Sequence, residues 1–117
     1  SLVGSEMCIE TETKAQPENI WLNYFINYDP APTIARITIP VMALNGSNDM
    51  QVIPYTNLNA IQELLKKKNK KNLFKEYPGL NHLFQHCQTN NSLDYYTIEE
   101  TCSEEVLRDI ADWINQL

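Results

Sequence analysis

Glycine is scarce in this chain. Gly4, Gly46 and Gly79 are the only three in 117 residues, and none frames a serine as Gly-x-Ser-x-Gly, the strand-to-helix elbow that presents a nucleophilic hydroxyl. Ser5, Ser47, Ser92 and Ser103 are poor substitutes for such a serine. Cysteine is also sparse: Cys8, Cys87 and Cys102 allow at most one bridge, which excludes a disulfide scaffold. Positive charge is short. Nine Lys and Arg against 15 Asp and Glu leave a formal charge of −6, contrary to a protein that binds a nucleic-acid backbone. No apolar run approaches the ~20 residues of a membrane span, and "IPVMAL" falls far below it. No signal peptide stands at the start, which leaves the localisation of a longer parent open between cytoplasm and export.

What is present suits one small domain, with an apolar fraction of 43%. The first nineteen residues are polar and mixed. "IWLNYFINY" (20–28) carries Ile20, Trp21, Tyr24, Phe25 and Tyr28 at helical spacing, and "DPAPTIA" ends it with two prolines. "ITIPVMALNGSND" (37–49) is a β-branched, apolar run that stops at an Asn-Gly turn. Its body, residues 41–44, shows no polar alternation, which predicts a parallel strand covered by helices on both faces. Pro54 fits the first turn of a helix whose stripe is Leu58, Ile61, Leu64 and Leu65 through 55–68. "LFKEY" (73–77) is the next strand. Ser103 or Thr101 caps a closing helix with Glu104 and Glu105 in its first turn and Val106, Ile110, Trp113, Ile114 and Leu117 on its buried face. The lysine cluster "KKKNKK" (66–71) reads as a solvated helix end.

Strand, helix, strand is a βαβ unit, so the fold class is α/β with two parallel strands plus N-terminal and C-terminal helices. Both strands then exit at one edge of the sheet, where open α/β sheets bind ligands. Asp49 follows the first strand and His82 the second. Neighbouring strands lie ~4.8 Å apart, near enough for carboxylate and imidazole to hydrogen-bond. Such a carboxylate fixes the tautomer of the imidazole and stabilises the imidazolium formed when Nε2 accepts a proton.

These motifs resemble the α/β-hydrolases, and specifically bacterial esterase-like members of that superfamily. "NGSNDMQVIP" (45–54) resembles the Gly-x-x-Asp-x-x-Val-x-Pro segment that carries the acid, and "YPGLNH" (77–82) resembles the Pro-Gly-x-x-His ending. "YDPAPTIARITIPVMALNG" (28–46) is similar to the approach to the penultimate strand, and "DYYTIEETCSEEVLRDIADWI" (94–114) to the closing helix. The resemblance covers roughly residues 20–117 and matches the C-terminal third of such an enzyme. It implies a truncated part of a serine hydrolase acting on a carboxylic ester or related acyl bond. Asp49 and His82 would be catalytic, the nucleophile and oxyanion hole would lie outside the chain, and no cofactor would be needed. Residues 31–117 would be the C-terminal βαβα portion, and residues 1–30 a polar start and aromatic helix left from a cap or lid. Alone, the chain is expected to be inactive and to form a homo-oligomer through an exposed sheet edge.

Two other readings compete. One is a non-catalytic βαβ interaction module. The other is a metal site, since His82 and His86 are four apart with Cys87 adjacent; the Pro78-Gly79 turn and the intervening Leu83 and Phe84 oppose it, and the expected metal set is none. His86 reads as a polar group beyond the histidine motif. Cys87 and Cys102 read as buried free thiols, or as a bridge in an oxidising compartment. Tyr95, Tyr96, Glu99 and Glu100 suggest a loop folded over His82.

Overall fold

A computed structural model describes residues 19–117. Cys8 and most of the polar start lie outside the described residues. Five helical or strand elements lead from the aromatic segment to the second strand: α1 (Ile20–Asn27), α2 (Ala31–Ile34), β1 (Met42–Gly46), α3 (Pro54–Leu65) and β2 (Leu73–Tyr77). A 3-10 turn (Ser92–Tyr96) and α4 (Glu104–Asn115) complete the chain. β1 and β2 pair in parallel, with Met42 opposite Leu73 and Gly46 opposite Tyr77. The chain therefore has a small α/β architecture built on one βαβ unit, the arrangement of a partial α/β-hydrolase fold.

Each element has a local cause. Pro54 stands at the first turn of α3, where its missing N–H costs no helical bond. Leu58 and Leu65 of the expected stripe are buried, while Ile61 and Leu64 are partly covered. Asn72 joins the two strands at their start: its side-chain oxygen accepts the Val41 N–H at 2.9 Å, and its amide donates to the Leu65 carbonyl at 2.9 Å. α4 starts after Ser103, with Glu104 and Glu105 in its first turn.

Alternation along the strands separates the two faces. Leu44, Lys75 and Tyr77 share the face that carries α4, where Tyr77, Leu80 and Val106 form a small core joined by Leu44, Phe84, Cys102 and Ile110. Tyr77 is fully buried, meets Phe84 edge-on at 6.1 Å, and donates its hydroxyl to Asp109 at 2.7 Å. Lys75 pairs with the same carboxylate and lies 4.5 Å from the Tyr77 ring centre. The opposite face, with Ala43, Asn45 and Phe74, is left to the crossover helix α3. α4 is tied down at its far end as well, where the Trp113 Nε1–H donates to the Lys71 carbonyl at 2.7 Å and Lys71 Nζ donates to the Gln116 carbonyl at 2.9 Å.

Four expectations shift. The prolines of 29–35 do not merely end α1: Pro30 caps and Pro32 enters the short α2, where neither removes an intrahelical bond. β1 runs from Met42 through Gly46 rather than over 41–44, because Leu73 pairs with Met42. Met42, Ala43 and Leu44 are only half-buried, since β1 has a strand neighbour on one side alone. Ile114 and Leu117 are exposed: Leu117 lies beyond the end of α4, and only two strands are there for the helix to cover. No residue of α1 is buried; Trp21 stacks on Phe25 at 5.5 Å and remains 68% exposed.

Candidate active site

The two strand exits are zipped together by main chain beyond the last sheet pair. The Ser47 N–H donates to the Tyr77 carbonyl and the Asn48 N–H to the Leu80 carbonyl, both at 2.9 Å. Ser47 Oγ accepts the Gly79 N–H at 2.8 Å, so this hydroxyl serves as a tie between the loops. Gly79 takes φ 77°, a left-handed conformation that suits glycine in the turn after Pro78.

Asp49 hangs from the first exit and is buried. Its Oδ1 accepts the N–H groups of Gln51 at 2.9 Å and Val52 at 2.8 Å. Its Oδ2 accepts the Asn45 amide at 3.2 Å and lies 2.9 Å from His82 Nδ1. Asn45 also donates to the Val52 carbonyl at 2.9 Å, which pins the loop that carries the acid. The carboxylate is acceptor-only, so Nδ1 carries the proton and donates it to Oδ2. A neutral His82 is then left with Nε2 as an acceptor. Nε2 makes no hydrogen bond to the described residues, and the His82 side chain is 36% exposed. The arrangement is that of a base whose free nitrogen can take a proton from a hydroxyl or thiol placed against it.

Asn81 builds the loop that presents the imidazole. Its side-chain oxygen accepts the N–H groups of Leu83 at 2.9 Å and Gln85 at 3.0 Å, and its amide donates to Gln85 Oε1 at 2.9 Å. Its carbonyl accepts the Phe84 N–H at 3.0 Å and closes the turn. Phe84 turns the chain back with φ 57°, an uncommon value for a bulky residue. Two long-range bonds oppose that strain: the Ser103 N–H donates to the Phe84 carbonyl at 2.7 Å, and the Gln85 amide donates to the Glu100 carbonyl at 2.7 Å.

The structure thus brings Asp49 and His82 together and takes His86 elsewhere. The Glu100 carboxylate accepts the His86 N–H at 2.6 Å and the ring Nδ1–H at 2.9 Å. These donors hold the Glu100 carboxyl below its usual range, the main-chain N–H foremost. His82, His86 and Cys87 do not converge. Among the described residues no group of three His, Cys, Asp or Glu is placed to hold a metal ion. Cys87 and Cys102 are both free and partly buried. The Asn48 amide donates to the Cys87 carbonyl at 3.4 Å, so this cysteine helps brace the acid loop through its main chain. Of the loop expected over His82, Tyr95 reaches it, its Oη accepting the His82 N–H at 3.2 Å, while Tyr96 and Glu99 are exposed and Glu100 holds His86 instead.

Asn45, Asn81 and Gln85 were not legible as site-builders. By sequence each stands in a polar turn segment where exposure is the usual expectation, and their burial, at 5%, 1% and 6% exposure, marks them as internal polar supports. Asn81 precedes the histidine directly, and Asn45 opens the acid motif; those positions were the available signal.

No helix among the described residues is long and apolar enough to cross a membrane. No curated protein and no solved structure matches the chain. The family model described as "Dienelactone hydrolase family" matches residues 25–117, a span that contains both strands, the crossover helix, the Asp49–His82 pair and α4. The chain belongs to the dienelactone hydrolase family, an α/β-hydrolase family.

Proposed function

We propose that this chain supplies the acid and the general base of a Ser-His-Asp hydrolase that cleaves a carboxylic ester or a related acyl bond. The observation that carries this reading is the 2.9 Å bond between Asp49 Oδ2 and His82 Nδ1, with the other carboxylate oxygen held by two main-chain N–H groups. The lactone of the family's name is a cyclic ester, which keeps the reaction class the same. His82 Nε2 takes the proton of the attacking hydroxyl as it adds to the acyl carbon. Asp49 stabilises the imidazolium, and His82 returns the proton to the leaving alcohol. A water molecule then repeats the sequence on the acyl-enzyme. No step calls for a cofactor.

The 117 residues hold no Gly-x-Ser-x-Gly, so in this reading the serine comes from polypeptide outside them. Residues 31–117 are then the C-terminal βαβα portion of the hydrolase domain, and 1–30 the lead from a cap. In the polypeptide that joins this chain to its nucleophile, Asp49→Asn and His82→Gln are each expected to lower kcat for a nitrophenyl ester by about 10³- to 10⁴-fold with correct folding retained. Activity within threefold of the parent in both variants removes the proposal. Active-site-titratable turnover by these residues alone removes the part that places the nucleophile outside them.

A further inference from the structure

The turn that presents His82 satisfies nearly all of its own main-chain donors. The Asn81 N–H reaches the Gln85 carbonyl, Phe84 the Asn81 carbonyl, and Leu83 and Gln85 the Asn81 side-chain oxygen. Beyond the turn, His86 is received by Glu100 and Cys87 by the Gly79 carbonyl. The His82 N–H is the one main-chain donor of residues 81–85 that finds no acceptor inside the turn. Its acceptor is a phenol thirteen positions along the chain, Tyr95 Oη, at 3.2 Å.

Tyr95 is well placed to hold that position. It lies in the Ser92–Tyr96 3-10 turn, whose start is capped by Asn91, with its side-chain oxygen 3.0 Å from the Leu93 N–H. Thr97 Oγ1 donates to the Asp94 carbonyl at 2.8 Å at the other end. The turn is therefore braced by its own short polar residues, and Tyr95 is half-buried while its neighbour Tyr96 is 92% exposed.

We infer that Tyr95 is a positioning residue for His82: its hydroxyl oxygen fixes the main chain at the imidazole's own residue and so holds Nδ1 on Asp49. The backbone at His82 has two supports, the Asn81 turn on one side and Tyr95 on the other. Without the second, the N–H turns to solvent and the ring loses its fixed distance to a carboxylate that cannot follow, because Asp49 is bound to its own loop by Gln51, Val52 and Asn45. This inference rests on the reading of His82 as the general base.

The test is magnetic resonance on the ¹⁵N-labelled chain, which needs no turnover. Tyr95→Phe keeps the ring and deletes the oxygen. The His82 amide is expected to exchange with solvent about fivefold faster, and the downfield Nδ1–H signal of its imidazole to broaden or vanish. A residue that only packed the loop would alter neither signal. Tyr96→Phe, on the same turn, should leave both at their parental values. An unchanged His82 amide and a sharp Nδ1–H signal in Tyr95→Phe overturn the inference. The unsubstituted chain provides a second measurement that does not depend on how the variant folds: an unprotected His82 amide there overturns it too. Hydrolysis by Asp49→Asn and His82→Gln tests the functional reading separately, so either idea can fail while the other stands.

Discussion

Gly46 lies against the main chain of Leu80: a Cβ built at Gly46 would sit 2.2 Å from the Leu80 oxygen and 2.7 Å from that of Asn81. The end of β1 and the loop that carries His82 pass at backbone contact, and only a hydrogen side chain permits it.

Gly46→Ala should therefore force the two exit loops apart, since main-chain oxygens cannot step aside as a flexible side chain does. A loss of about 1–3 kcal/mol is expected, with the Asn48-to-Leu80 bond and the Asp49–His82 contact broken together. Urea unfolding and the His82 Nδ1–H signal measure the two effects. A variant of parental stability with that signal intact would contradict the close approach.

Tyr77 and Asp109 predict opposite flanks of a pH–stability curve. Burial, and then the bond to Asp109, push the Tyr77 phenol above its ordinary 10.0. Its contribution is complete below pH 10.0 and is lost as pH climbs toward the raised value. Lys75, and then Tyr77, hold the Asp109 carboxyl below its ordinary 3.8, so its contribution is present above 3.8 and fades as pH falls through the lower folded value. Tyr77→Phe should cost roughly 1 kcal/mol near neutrality and flatten the alkaline flank. Thermal unfolding between pH 8 and 11 decides; an alkaline flank that persists in Tyr77→Phe points to another group.

Glu100 tethers the end of the 88–100 loop through the His86 N–H and ring. Its folded carboxyl is held below 4.5, so the tether persists above that pH and releases as pH falls through the depressed value. Glu100→Gln should loosen the loop at neutral pH. Faster exchange of the His86 amide, with the Asn81 turn unaffected, is the expected result, and parental protection would refute it.

The two-stranded sheet leaves an outer edge on each strand. β2 carries Lys75 and Glu76, while β1 carries no charged residue. Charges deter edge pairing, so β1 is the edge at which the isolated chain is expected to self-associate. Sedimentation at high micromolar concentration should show species larger than one chain; a strict monomer would refute it.

How much of this could be read beforehand depends on the kind of order involved. The βαβ unit was legible because residues 41–44 lack polar alternation, Pro54 opens a helix and Leu58 and Leu65 recur at helical spacing. Asp49 and His82 were legible because each stands just past a strand, and parallel strands end at one edge. The supports were not. Asn81 acts through three side-chain hydrogen bonds to Leu83 and Gln85, and Tyr95 acts across thirteen positions, so neither follows any periodicity. The exposure of Ile114 and Leu117 depends on where α4 ends and on how many strands are there for it to cover, which spacing within the helix cannot express.

The pairing of Met42 with Leu73 also governs how the site can fail. Sliding β2 by a single step would turn Tyr77 to the wrong side and carry His82 about 3.3 Å along the strand axis. A 2.9 Å contact does not survive such a displacement. A misaligned sheet thus loses the carboxylate–imidazole contact as well as its packing, and whatever selects the correct alignment during folding also sets that pair in place.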